Sequence, residues 1–159
     1  MSQLSDPIFG VTEASCQESI YFSGRKTKTD MATKIQIHHP DVKEGFSTGA
    51  YSSGVLIDGW LYVSGQGPVD YAKGEFVLGT IESETHLTLQ NVGRILEAAG
   101  CTFDDVVKST VHLADINDFA VYNQIYASYF PGIKPARTTV QSVLGNGIKV
   151  EIDVVAKLP

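Results

Sequence analysis

Hydrophobic periodicities along this 159-residue chain follow a definite order, which limits the folds open to it. Segments in which apolar and polar residues alternate predict β-strands, whereas apolar residues spaced three or four apart predict amphipathic helices. From Lys34 onward these patterns predict the order β-β-β-α-β-α-β-β. That order is typical of an α+β protein with two helices on one face of a mixed β-sheet.

Six strands are predicted from the alternating segments, at 35–38, 55–57, 60–64, 107–113, 138–144 and 150–156. Asp58-Gly59 predicts a hairpin turn between the second and third strands, and Asn146-Gly147 predicts a turn before the last strand. Gly65-Gln66-Gly67-Pro68 is expected to end the third strand, and residues 70–79 are expected to form a polar loop.

Alternation also sorts the strand residues onto two faces of the predicted sheet. The residues expected to share faces are Val107, Ser109, Val111 and Leu113 in the fourth strand and Val150, Ile152 and Val154 in the last. Apolar residues remain at other positions, such as Val143 and Val155. With helices on one side only, association with further copies is the simplest way to bury them.

Two amphipathic helices are predicted between the strands. The first begins after Thr80, a suitable N-cap residue, and ends at Gly100. The second runs from about residue 117 to residue 130. Its aromatic stripe consists of Phe119, Tyr122, Ile125, Tyr126 and Tyr129. We interpret this stripe as core packing rather than as part of a cofactor site.

Residues 1–33 differ from the remainder of the chain, because they mix small, polar and basic residues without sustained periodicity. We expect a poorly structured N-terminal extension here and one folded domain over residues 34–159. An extension with its own role and an upstream start codon before Met31 are alternatives. Ile20-Tyr21-Phe22 could instead add a strand to a sheet edge.

Charge and composition argue against several classes of function. The net charge of −6 and an isoelectric point near 5.1 make nucleic acid a poor partner. The chain has no apolar run of about 18 residues, which argues against a membrane span, and its N-terminus lacks the pattern of a secretion signal. Cys16 and Cys101 are expected to be free thiols in the reducing cytoplasm. The histidines show no metal-ligand spacing, so no metal is predicted.

Two charged residues on predicted strands are candidates for chemistry. Arg137 follows Pro135 near the start of a strand, and a guanidinium is suited to bidentate binding of a carboxylate. Glu151 alternates with Val150 and Ile152 on the last strand, where its carboxylate could activate a water molecule. A surface salt bridge for Arg137 and an exposed position for Glu151 fit the residues equally well.

From about residue 49 to residue 156 the chain resembles the reactive intermediate deaminase family (RidA-like; liver perchloric acid-soluble protein family). The matching stretches are Gly49-Ala50-Tyr51-Ser52, Val63-Ser64-Gly65-Gln66, Asn91-Val92, Leu96-Glu97-Ala98-Ala99-Gly100, Asp105-Val106-Val107-Lys108, Asp115-Ile116-Asn117-Asp118-Phe119, Tyr122-Asn123, Tyr129-Phe130, Pro135-Ala136-Arg137 and Val150-Glu151-Ile152. They occur in order and cover roughly two-thirds of the chain.

The resemblance implies a chorismate-mutase-like α+β fold and a homotrimer, in which three sheets form a central barrel with the helices outside. It places the active sites in clefts between subunits. It also implies hydrolysis of reactive imines such as 2-iminopropanoate and 2-iminobutanoate, the tautomers of enamines, to 2-keto acids and ammonia. The resemblance implies no cofactor, because an imine carbon is already electrophilic.

The resemblance also implies roles for individual residues. Arg137 would bind the substrate carboxylate, and Glu151 would hold and polarise the attacking water. The residues expected to line the cleft and contact the substrate are Tyr51, Ser64, Gly65, Asn123 and Thr139. Gly65 would do so through its backbone, which allows close approach, and Thr139 through its backbone N–H.

Several departures from the family pattern bear on the identity of the substrate. The family usually has proline at Ala50, a branched apolar residue at Gly67 and often cysteine at Thr139, and residues 71–75 replace its acid-and-glycine loop. The alternative function is a non-catalytic carboxylate-binding or regulatory trimer, but retention of Glu151 favours an enzyme. A ribonuclease role, attached to some relatives, is disfavoured by the acidic charge.

Overall fold

Eight strands and two α-helices are formed within residues 33–159, the part of the chain that the computed structural model describes. The strands are β1 (Ile35–Ile37), β2 (Gly54–Ile57), β3 (Trp60–Gln66), β4 (Val69–Asp70), β5 (Glu75–Phe76), β6 (Val106–Leu113), β7 (Ala136–Gln141) and β8 (Val150–Lys157). The helices are α1 (Ile81–Ala98) and α2 (Phe119–Tyr129). The predictions for residues 1–32 lie outside the described residues.

Six of the strands form one mixed sheet in the order β1-β2-β3-β8-β6-β7. All neighbours are antiparallel except β6 and β7, which are parallel. The predicted mixed α+β architecture is therefore confirmed. Strands β4 and β5 form a separate small hairpin where a polar loop was predicted, and that prediction is wrong. Strands of two residues are too short to show a period, and Gly74, at φ +76°, closes their turn.

The hydrophobic core lies between one face of the sheet and the helices. The core side chains that are less than 5% exposed include Leu61, Val63, Leu89, Val92, Ile95, Leu96, Val111, Leu113, Val150, Ile152 and Val154. On β8 the alternate residues Glu151, Asp153 and Val155 are only partly buried. One face of β8 is therefore packed against the core and the other is left without a helix.

Local signals place the ends of α1 as predicted. The hydroxyl of Thr80 accepts a hydrogen bond from the backbone N–H of Ser83 at 3.2 Å, and the hydroxyl of Ser83 accepts one from the N–H of Thr80 at 3.1 Å. Gly100, at φ +81°, ends the helix in a left-handed conformation. The predicted second helix is shorter than expected, because residues 116–118 form a 3₁₀ turn before α2.

A bulge in β6 changes which valine is buried. Val106 pairs with Ala156 and Lys108 pairs with Val155, so Val107 is an extra residue in the strand. Val106 is 4% exposed and Val107 is 44% exposed. The prediction that Val107 shares a face with Ser109, Val111 and Leu113 is therefore wrong, because an inserted residue reverses the alternation.

The bounds of two further strands differ from those predicted. Strand β3 continues through Gly65 to Gln66, and its register with β8 shifts by one residue after Val63. Strand β7 ends at Gln141 rather than at residue 144, because its partner β6 ends at Leu113 and the ladder closes there. Val143, expected in that strand, lies beyond it with its side chain fully exposed.

None of the helices in residues 33–159 is long and apolar enough to cross a membrane.

Candidate active site

Glu151 projects from β8 toward the backbone of β3. It lies between the buried Val150 and Ile152, on the face of the strand that points away from the core. A Cβ atom built on Gly65 would stand 2.4 Å from the Glu151 Oε1 atom and 2.9 Å from its Cδ atom. The bulge in β3 brings Gly65 to this position, and only glycine leaves room for the carboxylate there.

A cavity of about 220 Å³ surrounds the Glu151 carboxylate. Its lining residues are Thr48, Tyr51, Gly65, Gly67, Val69, Tyr71, Phe76, Gly145, Asn146, Ile148 and Glu151. Tyr51 is half exposed, and its hydroxyl is hydrogen-bonded to the hydroxyl of Thr48. The predicted residues Tyr51, Gly65 and Glu151 therefore lie in one small polar cavity.

One wall of this cavity is held by a buried tyrosine. The Tyr71 hydroxyl donates a hydrogen bond to Gln66 Oε1 at 2.8 Å, and the ring of His39 stacks on Tyr71 with 4.0 Å between the ring centroids. Burial raises the pKa of Tyr71 to about 12. Its hydroxyl therefore stays protonated at neutral pH and can donate to Gln66, which is fully buried.

Ser64 acts on the backbone that leads to Tyr51. Its hydroxyl donates to the carbonyl of Ser52 at 2.7 Å, and its N–H donates to the carbonyl of Ser53 at 3.0 Å. Ser64 is not among the residues that line the cavity around Glu151. In this chain it ties residues 52–53 to β3 and so fixes the segment that carries Tyr51.

Arg137 lies on the other side of the sheet. In the parallel register Arg137 pairs with Ser109, which is fully buried on the core face of β6. Its guanidinium contacts α2 instead of the cavity around Glu151. Nη2 donates to Asn123 Oδ1 at 2.8 Å, and Nη1 donates to the Tyr122 hydroxyl at 3.4 Å. Within residues 33–159 no carboxylate lies within ion-pair distance of Arg137.

Aromatic rings of α2 surround the same guanidinium. Its Cζ atom is 4.6 Å from the ring centroid of Tyr126, 5.5 Å from that of Tyr122 and 5.7 Å from that of Phe119. Distances below about 6 Å are those of cation–π contacts. Thr139 lies two residues along β7 on the same face, and its hydroxyl is buried with no partner among the described residues.

The predicted site residues thus form two groups within one chain. Tyr51, Gly65 and Glu151 lie at a cavity on one face of the sheet, while Arg137, Asn123 and Thr139 lie beside α2 on the other. A molecule of a few heavy atoms cannot reach both groups of one chain, because the sheet lies between them. Within residues 33–159, no three His, Cys, Asp or Glu side chains come together as a metal site requires.

Some cavity residues were absent from the sequence predictions. Thr48, Tyr71, Asn146 and Ile148 line the cavity but were not expected to do so. The sequence predicts the Asn146-Gly147 turn, but only the fold brings residues of this loop to the cavity that Gly65 and Gly67 line. Burial of Tyr122, Ile125 and Tyr126 confirms the predicted core packing for these members of the aromatic stripe. Phe119 is 38% exposed, so the interpretation is wrong for that residue. The rings of Phe119, Tyr122 and Tyr126 also contact Arg137.

Comparison with known proteins places these residues in a family. The family model described as Endoribonuclease L-PSP matches residues 42–158. The 2-iminobutanoate/2-iminopropanoate deaminase of Rattus norvegicus is 50% identical over 109 residues, which are 68% of this chain and 80% of the rat protein.

Solved structures show the same fold. A putative endoribonuclease L-PSP from Entamoeba histolytica superposes with a TM-score of 0.73 at 38% identity, covering 79% of this chain and all of the other. The E. coli protein TdcF, crystallised with bound serine, gives a TM-score of 0.72 at 32% identity, covering 79% of this chain and 99% of TdcF. The chain belongs to the endoribonuclease L-PSP family, the RidA family that its sequence motifs indicated.

Proposed function

We propose that this protein hydrolyses small 2-imino acids, of the 2-iminobutanoate and 2-iminopropanoate type, to 2-keto acids and ammonia. The observation that carries the proposal is the carboxylate of Glu151, held over Gly65 in a cavity of about 220 Å³. The rat relative that is half identical over the aligned residues carries the name of this activity.

The proposed reaction needs water, orientation and one group that can accept and return a proton. Glu151 accepts a proton from water as the water oxygen bonds to the imine carbon, and then passes the proton to the imine nitrogen. The product of this step is a carbinolamine. Transfer of its hydroxyl proton to the amino nitrogen through the same carboxylate forms the C=O bond and releases ammonia. No electrons leave the substrate, so the step is a hydrolysis.

Arg137 is proposed to bind the carboxylate of the substrate. A guanidinium has five N–H donors, and the contacts with Tyr122 and Asn123 occupy two of them. The remaining donors suit a carboxylate, which pairs with arginine through two parallel hydrogen bonds. Asn123 and Thr139 are proposed to contact the substrate beside Arg137, and Tyr51, Ser64 and Gly65 to shape the site beside Glu151.

We propose further that the protein is a homotrimer of the chorismate-mutase-like kind, with the three sheets around a central barrel. Since Arg137 and Glu151 lie on opposite faces of one sheet, a site that contains both requires two copies of the chain. Tyr62, 50% exposed, and the partly buried Val155 pair with each other on the face without helices. Exposure of apolar side chains on that face favours association, because contact with another copy would bury them.

The enzymatic proposal is tested by release of keto acid from 2-iminopropanoate generated in situ. Glu151→Gln is expected to lower kcat by about 10²- to 10⁴-fold, the usual contribution of a general base. Arg137→Ala is expected to weaken substrate binding by on the order of 2–5 kcal/mol, because it removes a charge-assisted anchor. Matched controls are Glu97→Gln and Arg94→Ala, since both side chains are solvent-exposed, and neither lines the cavity around Glu151 or contacts Arg137. Wild-type turnover by either site variant would overturn its assigned role.

The shared site is tested by mixing two inactive variants. If each site takes Arg137 from one copy and Glu151 from another, mixed oligomers of Arg137→Ala and Glu151→Gln regain about a quarter of the wild-type sites after random exchange. A site built within one chain regains none. Sedimentation of the wild type is expected to show a trimer at micromolar concentration, and a stable monomer would contradict the proposal.

Carboxylate binding without turnover is the second candidate function. The relative TdcF was crystallised with serine, an amino acid that carries a carboxylate. Calorimetry with pyruvate distinguishes the two functions: a binding protein retains pyruvate affinity in Glu151→Gln and shows no imine hydrolysis in the wild type.

The family description also names an endoribonuclease. The net charge of −6 opposes RNA binding, and a salt titration of any RNA affinity tests it.

A further inference from the structure

Three aromatic residues of α2 support the guanidinium of Arg137. Phe119, Tyr122 and Tyr126 are spaced three and four residues apart, which places them on one face of the helix. The ring of Tyr126 is the nearest, at 4.6 Å from Arg137 Cζ. Tyr122 packs against both neighbours, with ring centroids 6.2 Å from Phe119 and 5.6 Å from Tyr126. The arginine therefore lies against a packed aromatic surface instead of extending freely into solvent.

Tyr122 also contacts Arg137 through its hydroxyl. The Tyr122 side chain is fully buried, and its oxygen accepts a hydrogen bond from Nη1 at 3.4 Å. Burial raises the pKa of Tyr122, and the charge of Arg137 opposes this rise only in part. The hydroxyl therefore remains protonated and neutral, with oxygen lone pairs available to the guanidinium.

Few other groups could hold Arg137 in place. Asn123, next to Tyr122 in α2, accepts from Nη2 at 2.8 Å. Among the described residues no acidic side chain pairs with Arg137, so a carboxylate does not fix its orientation. Tyr122 and Asn123 contact the two terminal nitrogens of the guanidinium, while Tyr126 lies against its face. Together they determine the plane of the group and leave three N–H donors for a ligand.

We propose that Tyr122 is a positioning residue, whose ring and hydroxyl hold the guanidinium of Arg137 in the orientation that binds a substrate carboxylate. This inference rests on the proposed function of Arg137 as the carboxylate anchor. A long arginine side chain that is already ordered loses less conformational freedom when the ligand binds. Loss of the Tyr122 contact is thus expected to affect substrate affinity more than the chemical step.

Tyr122→Phe is the informative variant, because it removes the hydroxyl and keeps the ring. We expect KM for 2-iminopropanoate to rise about 3- to 10-fold, the effect of one hydrogen bond, with kcat changed less than about 2-fold. Tyr129→Phe is the matched control. It makes the same chemical change on the same helix, where the hydroxyl contacts His86 Nδ1 at 3.1 Å. The control is expected to leave KM unchanged.

A double-mutant cycle separates positioning from general stability. In the Arg137→Lys background, Tyr122→Phe is expected to change KM by less than about 1.5-fold, because the planar fork that it orients is gone. An unchanged KM in Tyr122→Phe, or an equal rise in both backgrounds, would overturn the inference.

A ligand-free measurement keeps this test independent of the proposed function. The rate of rotation of the Arg137 guanidinium is measured by ¹⁵N NMR in the wild type and in both variants. Rotation is expected to be faster in Tyr122→Phe than in the wild type, and unchanged in Tyr129→Phe. Unchanged rotation would overturn the positioning role even in an active enzyme. If the wild type neither hydrolyses iminopropanoate nor binds pyruvate, the proposed function fails, whereas the rotation rates still decide whether Tyr122 orders Arg137.

Discussion

Gly65→Ala is the substitution that most directly tests the arrangement around Glu151. The added methyl group would lie 2.4 Å from Glu151 Oε1, 2.9 Å from Cδ and 3.1 Å from Cγ. Ordinary contacts of this kind are about 3.5–4.0 Å, so the carboxylate must move by about 1 Å or more. The side chain of Glu151 can rotate away because its end is flexible. We therefore expect the fold to survive and the carboxylate to be displaced.

The expected magnitude follows from that displacement. Misplacement of a reacting group by about 1 Å can lower the rate by on the order of 10²-fold. We expect kcat of Gly65→Ala for 2-iminopropanoate to fall by about 10- to 100-fold, with the Tm changed by less than about 4 °C. Gly145→Ala is the matched control, because Gly145 lines the same cavity but a Cβ there meets no atom within 4 Å.

Combining Gly65→Ala with Glu151→Gln shows whether the fall in kcat depends on the Glu151 carboxylate. In the Glu151→Gln variant the catalytic carboxylate is already absent, so adding Gly65→Ala is expected to lower kcat by less than about 2-fold. Wild-type kcat in Gly65→Ala would refute the assignment of Glu151 as the group that activates water. Full additivity in the double variant would show that Gly65 acts through another contact.

Three further predictions concern stability and chain length. Glu84, 1% exposed, accepts from the backbone N–H groups of Gly79 and Lys149 at 2.9 and 2.6 Å, so Glu84→Ala is expected to cost roughly 2–4 kcal/mol in urea denaturation. An unchanged urea midpoint would contradict this. Burial lowers the pKa of His39 below 6.5, so the unfolded chain binds more protons and stability decreases as pH falls below about 6.5. His39→Phe should weaken that decrease, and equal pH slopes in both proteins would exclude His39 as its source. A chain that starts at Met31 is expected to keep its Tm and turnover, because residues 1–30 lack apolar periodicity; aggregation of the truncated chain would show otherwise.

Structural elements that depend on residues close together in the sequence could be predicted. Thr80 and Gly100 bound α1 because a hydroxyl cap and a left-handed glycine act within one helical turn. Asp58-Gly59 forms the predicted hairpin turn, with φ of +51° and +74°. The alternation of Val150, Ile152 and Val154 predicted their burial on β8. In each case the relevant contacts lie close together in the chain, or recur with a simple period.

Bulges and strand ends could not be predicted in the same way. The extra residue at Val107 and the shift between Val63 and Gln66 depend on the register with β8, which is far away in the sequence. The end of β7 depends on where β6 ends, because a strand needs a partner for its hydrogen bonds. Bulges and strand ends depend on how two strands pair, so the sequence of one strand is not enough to predict them.

The amino-acid sequence is sufficient to identify an arginine that can bind a carboxylate and a glutamate on the last strand, and to assign the chain to its family. The directions of these two side chains depend on the three-dimensional fold. The parallel register with β6 directs Arg137 toward α2, whereas the position of Glu151 in β8 directs it over Gly65 on the opposite face. Side-chain direction in a sheet follows from pairing and alternation together, and pairing is established only when distant segments meet.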